Sequence, residues 1–218
     1  MLEFDKDIKV WITSDTHYSH TNICRGVTNW RTRDGGIPIS QTRDFPNLEK
    51  MNSTIVNNIN EVVGQDDVLI HLGDWSFGGF ENIQEFRERI ICKNVHLILG
   101  NHDHHIERNR QNCQDLFSSV QNFTRIVYFG ETIEICHYPI SSWNGLRKGR
   151  IHLHGHSHLP HNANITKGRR MDVGVDGNPD FRPYDLHREI IVPLKKLPIG
   201  SEMGPSDHHM DDLLNVVG

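Results

Sequence analysis

Apolar and polar positions recur along this chain with periods that mark strands and helices. The run Ile8–Ser14 (IKVWITS) is rich in β-formers, ends at Asp15 and gives way to the polar string DTHYSH. Over Leu48–Val63, apolar residues fall at Leu48, Met51, Ile55, Ile59 and Val62, three or four apart. That spacing predicts an amphipathic helix, stopped by Gly64. Val68–Leu72 (VLIHL) predicts a buried strand ending at Gly73-Asp74. Asn82–Ile91 predicts a helix with Ile83, Phe86 and Ile90 on one face, and His96–Leu99 (HLIL) a third strand ending at Gly100-Asn101. Arg125–Phe129 and Thr132–Cys136, separated by Gly130-Glu131, carry the signature of a hairpin. Arg150–His154, Met171–Val175 and Glu189–Leu194 complete the expected strands.

Strands alternate with helices early and pair as hairpins late, which points to a layered α/β fold centred on sheet, with room for two sheets packed face to face. A chain of 218 residues holds one sizeable core. The expected organisation is a single domain over residues 1–200, followed by a loosely held tail over 201–218. Arg25–Phe45 is polar, irregular and rich in Arg, Thr and Gly, and reads as a long loop. No apolar run is long enough to span a bilayer, and the opening MLEFDKDIKVWI lacks the features of a signal peptide, so the expected compartment is the cytoplasm. A net charge of −5 argues against wrapping extended nucleic acid but not against a small phosphorylated substrate. Cys24, Cys92, Cys113 and Cys136 form no CxxC pair and read as reduced thiols.

The sixteen histidines change the picture. LHGHSHLPH at Leu153–His161 places His154, His156, His158 and His161 within nine residues, far from either terminus. Other polar groups sit just beyond predicted strands, where α/β folds place ligand-binding residues. They are Asp15-Thr-His17, Gly73-Asp74, Gly100-Asn-His-Asp103, His137 and Gly155-His-Ser-His158. Each string alone is weak; their joint occurrence, each behind a strand, is not. Asp15, His17, Asp74, Asn101, His137, His156 and His158 offer carboxylate, imidazole and amide donors without a thiolate. This disfavours a closed cysteine-rich zinc site and suits Mn²⁺ first, with Fe, Zn²⁺, Ni²⁺ or Co²⁺ as alternatives. Seven protein ligands exceed what one ion uses but suit two divalent ions sharing one carboxylate, a pair able to acidify a bridging water and hold the oxygens of an in-line displacement.

With DTH, GD, GNHD, a lone His and GHSH in that order, the chain resembles the calcineurin-like metallophosphoesterases, in particular their small stand-alone bacterial and phage members. The resemblance spans roughly Ile8 to Val175. It implies an α/β fold, a four-layer α-β-β-α sandwich with two central mixed β-sheets. It also implies a division of ligands: Asp15, His17, Asp74 and His158 at one metal, and Asp74, Asn101, His137 and His156 at the other, with Asp74 as the bridge. His156 and His158, alternate residues of an extended segment, would share a face and reach different ions. His154 is expected in a packed or supporting role and His161 at the surface. His102 matches the family histidine that steadies phosphoryl oxygens and protonates the leaving group. Asp103 would orient it or cap the following segment.

The Asp-Arg-Gly continuation of the phosphoprotein phosphatases is absent, since Trp75-Ser-Phe-Gly-Gly follows Asp74. The expected activity is therefore hydrolysis of a phosphodiester or nucleotide by metal-activated hydroxide. A phosphomonoesterase, a phosphoprotein phosphatase, a non-catalytic metal-binding module and a histidine-rich metal carrier are the alternatives. Arg147, Lys148 and Arg150, or the loop arginines Arg25, Arg31, Arg33 and Arg43, are candidates to complete substrate binding. Trp143 and Trp30 are candidates to stack on a base. His20 and Asn22 would support the first block, and Asp172 and Asp176 would accept from backbone or histidine donors.

Overall fold

The computed structural model describes residues 1–24, 43–166 and 168–199. Two mixed sheets face each other. The five-stranded sheet contains β2 (Val10–Thr13), β3 (Val68–His71), β4 (Asn94–Ile98), β5 (Ser119–Gln121) and β11 (Tyr184–Asp185), in the order β11-β2-β3-β4-β5. The six-stranded sheet contains β1 (Leu2–Glu3), β6 (Phe123–Tyr128), β7 (Glu131–Cys136), β8 (Ile151–His154), β9 (Ile165–Thr166) and β10 (Arg170–Asp172), in the order β1-β6-β7-β8-β10-β9.

Alternation of side chains explains how the layers form. In β3, Val68 and Ile70 join Val10, Ile12, Ile133, Ile135, Ile151 and Leu153 in the core between the sheets. Leu69 faces the other way, onto α1 (Leu48–Val62) and α2 (Phe80–Arg89), where it meets Met51, Ile55, Ile59, Ile83 and Phe86. A strand buried on both faces loses its polar alternation, which is why VLIH is buried throughout. The Asn47 side chain accepts from the Lys50 N–H at 2.8 Å and so caps the start of α1. Outside the six-stranded sheet, the connection from β7 to β8 covers the strands, with Trp143 packed on His152 at a ring-centroid distance of 5.2 Å.

The β6–β7 hairpin forms as expected, but its two turn residues are Phe129 and Gly130, both at positive φ (51° and 78°), as a tight two-residue hairpin requires. The segment Glu189–Leu194 is not the expected strand. Leu186–Ile191 forms a π-helical turn that runs into the short α3 (Val192–Lys195). Asp185 caps it by accepting from the His187 and Arg188 N–H groups, and Pro193 cannot donate to a ladder. The buried set Leu186, Ile190, Ile191 and Leu194 has helical spacing and packs into the inter-sheet core. The four cysteines are free and buried. Among the described residues, no helix is long and apolar enough to cross a membrane.

Ile70 is fully buried where the two sheets meet. Ile70→Ala is expected to lower the unfolding free energy by about 2–5 kcal/mol, measured by urea denaturation. A loss below about 1 kcal/mol would contradict the packing described, since even an Ile→Val change in a core typically costs about that much.

Candidate metal centre

Strands β2, β3 and β4 run parallel, so their C-terminal ends lie on one edge of the five-stranded sheet. β7 and β8 are likewise parallel in the other sheet. The two edges meet: Ser14 bridges to Gly174, and the His156 N–H donates to the Asp15 carboxylate at 2.9 Å. All five sequence blocks emerge here. The backbone turns so sharply that Asp15, His17, Asp74, His156 and His158 all sit at positive φ, between 47° and 69°. Asp and His tolerate this region better than most residues, and such conformations cluster at functional sites. Close approach also demands glycine: a Cβ on Gly155 would lie 2.0 Å from Ser14 Oγ and 2.3 Å from Asp15 Oδ2.

His17 Nε2 lies 3.3 Å from Asp74 Oδ2, and His137 Nε2 lies 3.6 Å from the same oxygen. His158 Nε2 is 3.7 Å from Asp15 Oδ1. Asn101 Oδ1 stands 3.0 Å from His137 Nε2 and 2.8 Å from His156 Nδ1. The structure thus brings all seven expected ligand residues together. Their donor atoms form overlapping groups, Asp15–His17–His158, Asp15–Asp74–His137 and His17–Asp74–His102, with Asp74 common to two of them. His156 and His158 do diverge toward opposite ends, but not for the reason the sequence offered. Both residues are left-handed (φ 69° and 48°), so the turn, and not strand alternation, aims them.

Tautomers follow from the hydrogen bonds. His137 Nδ1 faces the Leu72 carbonyl at 2.7 Å and must donate, which leaves a lone pair on the neutral ring's Nε2. His158 Nδ1 is 2.9 Å from Asp176 Oδ2, which turns its Nε2 toward Asp15. His17 Nε2 is buried without a hydrogen-bond partner. Lone pairs and carboxylate oxygens therefore converge on the same space. Burial, with Asp74 adding to it against His158, raises the Asp15 pKa to about 6. Burial lowers that of His158, but Asp15 and Asp176 outweigh it and bring it to about 9. Burial holds His17 well below the usual imidazole value.

His102 is exposed, with its ring centroid 5.1 Å from that of His17, and its backbone N–H donates to Asp74 Oδ1 at 2.8 Å. Asp103 stands at the N-cap position of the turn His104–Glu107, where its carbonyl accepts from the Glu107 N–H, but its side chain makes no capping bond there. It is buried and accepts from the N–H groups of Gly100, Asp74 and Trp75 at 2.8, 2.8 and 3.0 Å, tying two loops together. Lys148 and Arg147 lie in the 3-10 turn Leu146–Lys148, and Arg150 just beyond it. Arg150 Nη1 is 3.6 Å from Glu134 Oε1, on the outer face of the six-stranded sheet, so this guanidinium is engaged away from the centre. Trp143 is buried and donates to the Arg150 carbonyl, which removes it as a stacking surface. Arg25, Trp30, Arg31 and Arg33 lie outside the described residues.

The most consequential group missed by the motifs is Arg43. It is fully buried, forks onto Asp176 through Nε and Nη2 at 2.9 Å each, and donates to the main-chain carbonyls of Asp15 and Thr16. Asp176 in turn orients His158, as expected of it, and Asp172 accepts from the Gly174 and Leu159 N–H groups. Arg43 and His158 hold the Asp176 carboxyl well below its usual pKa, against the effect of burial. His20 Nδ1 lies 3.2 Å from His17 Nδ1, whereas Asn22 is exposed in the turn that follows. Arg43→Leu strips the buried Asp176 carboxylate of its guanidinium and is expected to cost about 3–5 kcal/mol of stability, measured by chemical denaturation. A near-neutral result would show that the pair is not holding the loops.

The sequence matches the calcineurin-like phosphoesterase family across residues 8–215. An uncharacterised protein of Methanocaldococcus jannaschii is 30% identical over 192 residues, covering 85% of this chain and 90% of that one. The gene 66 protein of Mycobacterium phage D29 is 26% identical over 206 residues, covering 84% of this chain and 95% of its own. A protein of unknown function from Aquifex aeolicus has a similar fold, with a TM-score of 0.55 and 20% identity over 81% of this chain and 95% of that one. On the extent of the family match and the identity to the archaeal relative, the chain belongs to the calcineurin-like phosphoesterase family.

Proposed function

We propose that the protein is a dinuclear metal-dependent phosphodiesterase. The observation that carries this reading is the convergence of buried donor atoms: the imidazole Nε2 atoms of His17, His137 and His158 face the carboxylates of Asp15 and Asp74. Such a set fits divalent cations, and its mixed N/O character suits Mn²⁺ or the neighbouring transition metals. Asp15, His17, Asp74 and His158 would hold one ion, and Asp74, Asn101, His137 and His156 the other. Bound there, the pair supplies Lewis acidity, lowering the pKa of water and drawing charge from phosphoryl oxygens.

The chain's own groups do the rest. Asp176 and the Leu72 carbonyl fix the orientations of His158 and His137. His71 is the Nε2–H tautomer, because the Gly73 N–H donates to its Nδ1; its Nε2 then donates to Thr16 Oγ1, which donates to the Trp75 carbonyl. This chain locks the DTH and GD loops together. His102, on the open side of the centre, can give a ring N–H proton to the departing ester oxygen. One water is consumed and one P–O bond broken, yielding an alcohol and a phosphomonoester.

Charge favours the diester. A monoester dianion needs more positive charge than a diester monoanion, and the position after Asp74 supplies none. Trp75 is fully buried there, against Phe86 at 4.3 Å and Phe117 at 5.1 Å. Arg43 is already neutralised by Asp176.

With Mn²⁺ added, bis(p-nitrophenyl) phosphate is expected to turn over faster than p-nitrophenyl phosphate, and a chelator should abolish both. His102→Ala should lower kcat by roughly 10²–10⁴-fold with metal content unchanged by elemental analysis. Faster monoester turnover would overturn the diester preference; no turnover of either by metal-loaded protein would overturn the enzyme.

A further inference from the structure

Among the described residues, three phenyl or phenol side chains are exposed: Phe77, Phe123 and Tyr138. Two of them border the metal centre. Phe77, three residues after Asp74, is 41% exposed. Its ring stacks in parallel on His20 at 3.9 Å and stands 5.8 Å from His102. Tyr138, directly after His137, is 47% exposed, and its ring lies 4.9 Å from His156 and 5.0 Å from His137. One ring therefore sits beside the His17–His20–His102 end of the centre and the other beside the His137–His156 end.

Neither position is slack. The Phe77 N–H donates to the Tyr18 carbonyl at 2.8 Å, and its own carbonyl accepts from Asn82 Nδ2 at 2.7 Å. The Tyr138 carbonyl accepts from Cys136 Sγ at 3.1 Å. The anchored backbone holds each ring in place while a large part of it stays open to solvent. His20 covers one face of Phe77 and so fixes its plane.

We propose that Phe77 and Tyr138 are stacking platforms on opposite flanks of the centre, and that the substrate is a small phosphodiester carrying a planar ring, such as a nucleobase, on each side of phosphorus. This rests on the phosphodiesterase reading above. Base–aromatic stacking is tolerant of base identity, so the platforms select flat substituents without reading sequence. The net charge of −5 argues against an extended nucleic acid and for a short ligand.

The test compares bis(p-nitrophenyl) phosphate, with a ring on each ester arm, and methyl p-nitrophenyl phosphate, with one. Each of Phe77→Leu and Tyr138→Leu is expected to raise KM for the diaryl ester about ten-fold, and their effects should multiply in the double variant. For the methyl ester the double variant should lose no more than the worse single variant. Phe77→Tyr and Tyr138→Phe keep the rings and should keep the low KM. Calorimetric binding of a dinucleoside phosphorothioate to metal-loaded protein should weaken in the same pattern, with metal content matching wild type. Equal KM for wild type and both leucine variants, or multiplicative losses on the methyl ester, would overturn the platforms while leaving the esterase reading intact. If wild type hydrolyses neither ester, the esterase reading fails, and dinucleoside binding lost in both leucine variants still supports the platforms, whereas binding unaffected by them removes these too.

Discussion

Two buried carboxylates, Asp15 and Asp74, share the edge where the sheets meet; besides the His156 and His102 N–H groups that donate to them, ring nitrogens of His17, His137 and His158 are turned toward them. His137 spends its Nδ1 proton on the Leu72 carbonyl, and His158 turns its Nδ1 to Asp176, so both rings bring Nε2 to the carboxylates. Among the described residues, the one guanidinium buried at the site, that of Arg43, is bound to Asp176 and to main-chain carbonyls. Buried anions without partners are costly, and a field of this sign attracts any available cation. A proton answers that demand at His158, where Asp15 and Asp176 prevail over burial in raising its pKa to about 9. Metal ions answer it better because each reaches several lone pairs at once, and their binding must displace such protons.

That concentration of like charge can persist only on a rigid base. Five residues of the centre hold left-handed backbone conformations, each of which costs on the order of 1–3 kcal/mol for a non-glycine residue. The inter-sheet core lies directly beneath, with Ile12, Ile70, Ile135 and Leu153 fully buried. Asp103 and the Thr16–His71 pair convert loop carbonyls and N–H groups into fixed connections above it. Strain at the loops is sustained by packing in the strands, and the division of labour follows the strand ends.

Much of this is legible in the sequence, for identifiable reasons. Strands β2, β3 and β4 announce themselves because β-rich apolar runs end abruptly at Asp15, Gly73 and Gly100. The candidate ligand set is visible because its members follow predicted strands. Three kinds of feature are hidden. Arg43 and Asp176 lie 133 residues apart, so no local spacing betrays their pairing. The helical spacing of Leu186, Ile190, Ile191 and Leu194 is masked by the β-branched run Ile190-Ile191-Val192 before Pro193. Exposure is hidden as well: nothing in the string distinguishes Trp143, which is buried, from Phe77 and Tyr138, which are not.

The crowding of histidines in LHGHSHLPH resolves through backbone geometry. Within β8, Ile151 and Leu153 face the inter-sheet core, which turns His152 and His154 outward beneath the β7–β8 connection. There His154 is buried with Nδ1 against the Gly155 carbonyl, and burial lowers its pKa to about 3. Gly155 then ends the alternation, because no larger residue fits against Ser14 and Asp15. Past that break, positive φ values swing His156 toward Asn101 and His158 toward Asp15, while His161 reaches the Gly177 carbonyl at the surface. Two imidazoles four positions apart thus differ by several units in proton affinity, because burial, with His152 and Arg170 adding to it, prevails over a single carbonyl at His154, whereas His158 faces two carboxylates. Residue type supplies the titratable ring; the turn after β8 decides which rings serve the centre.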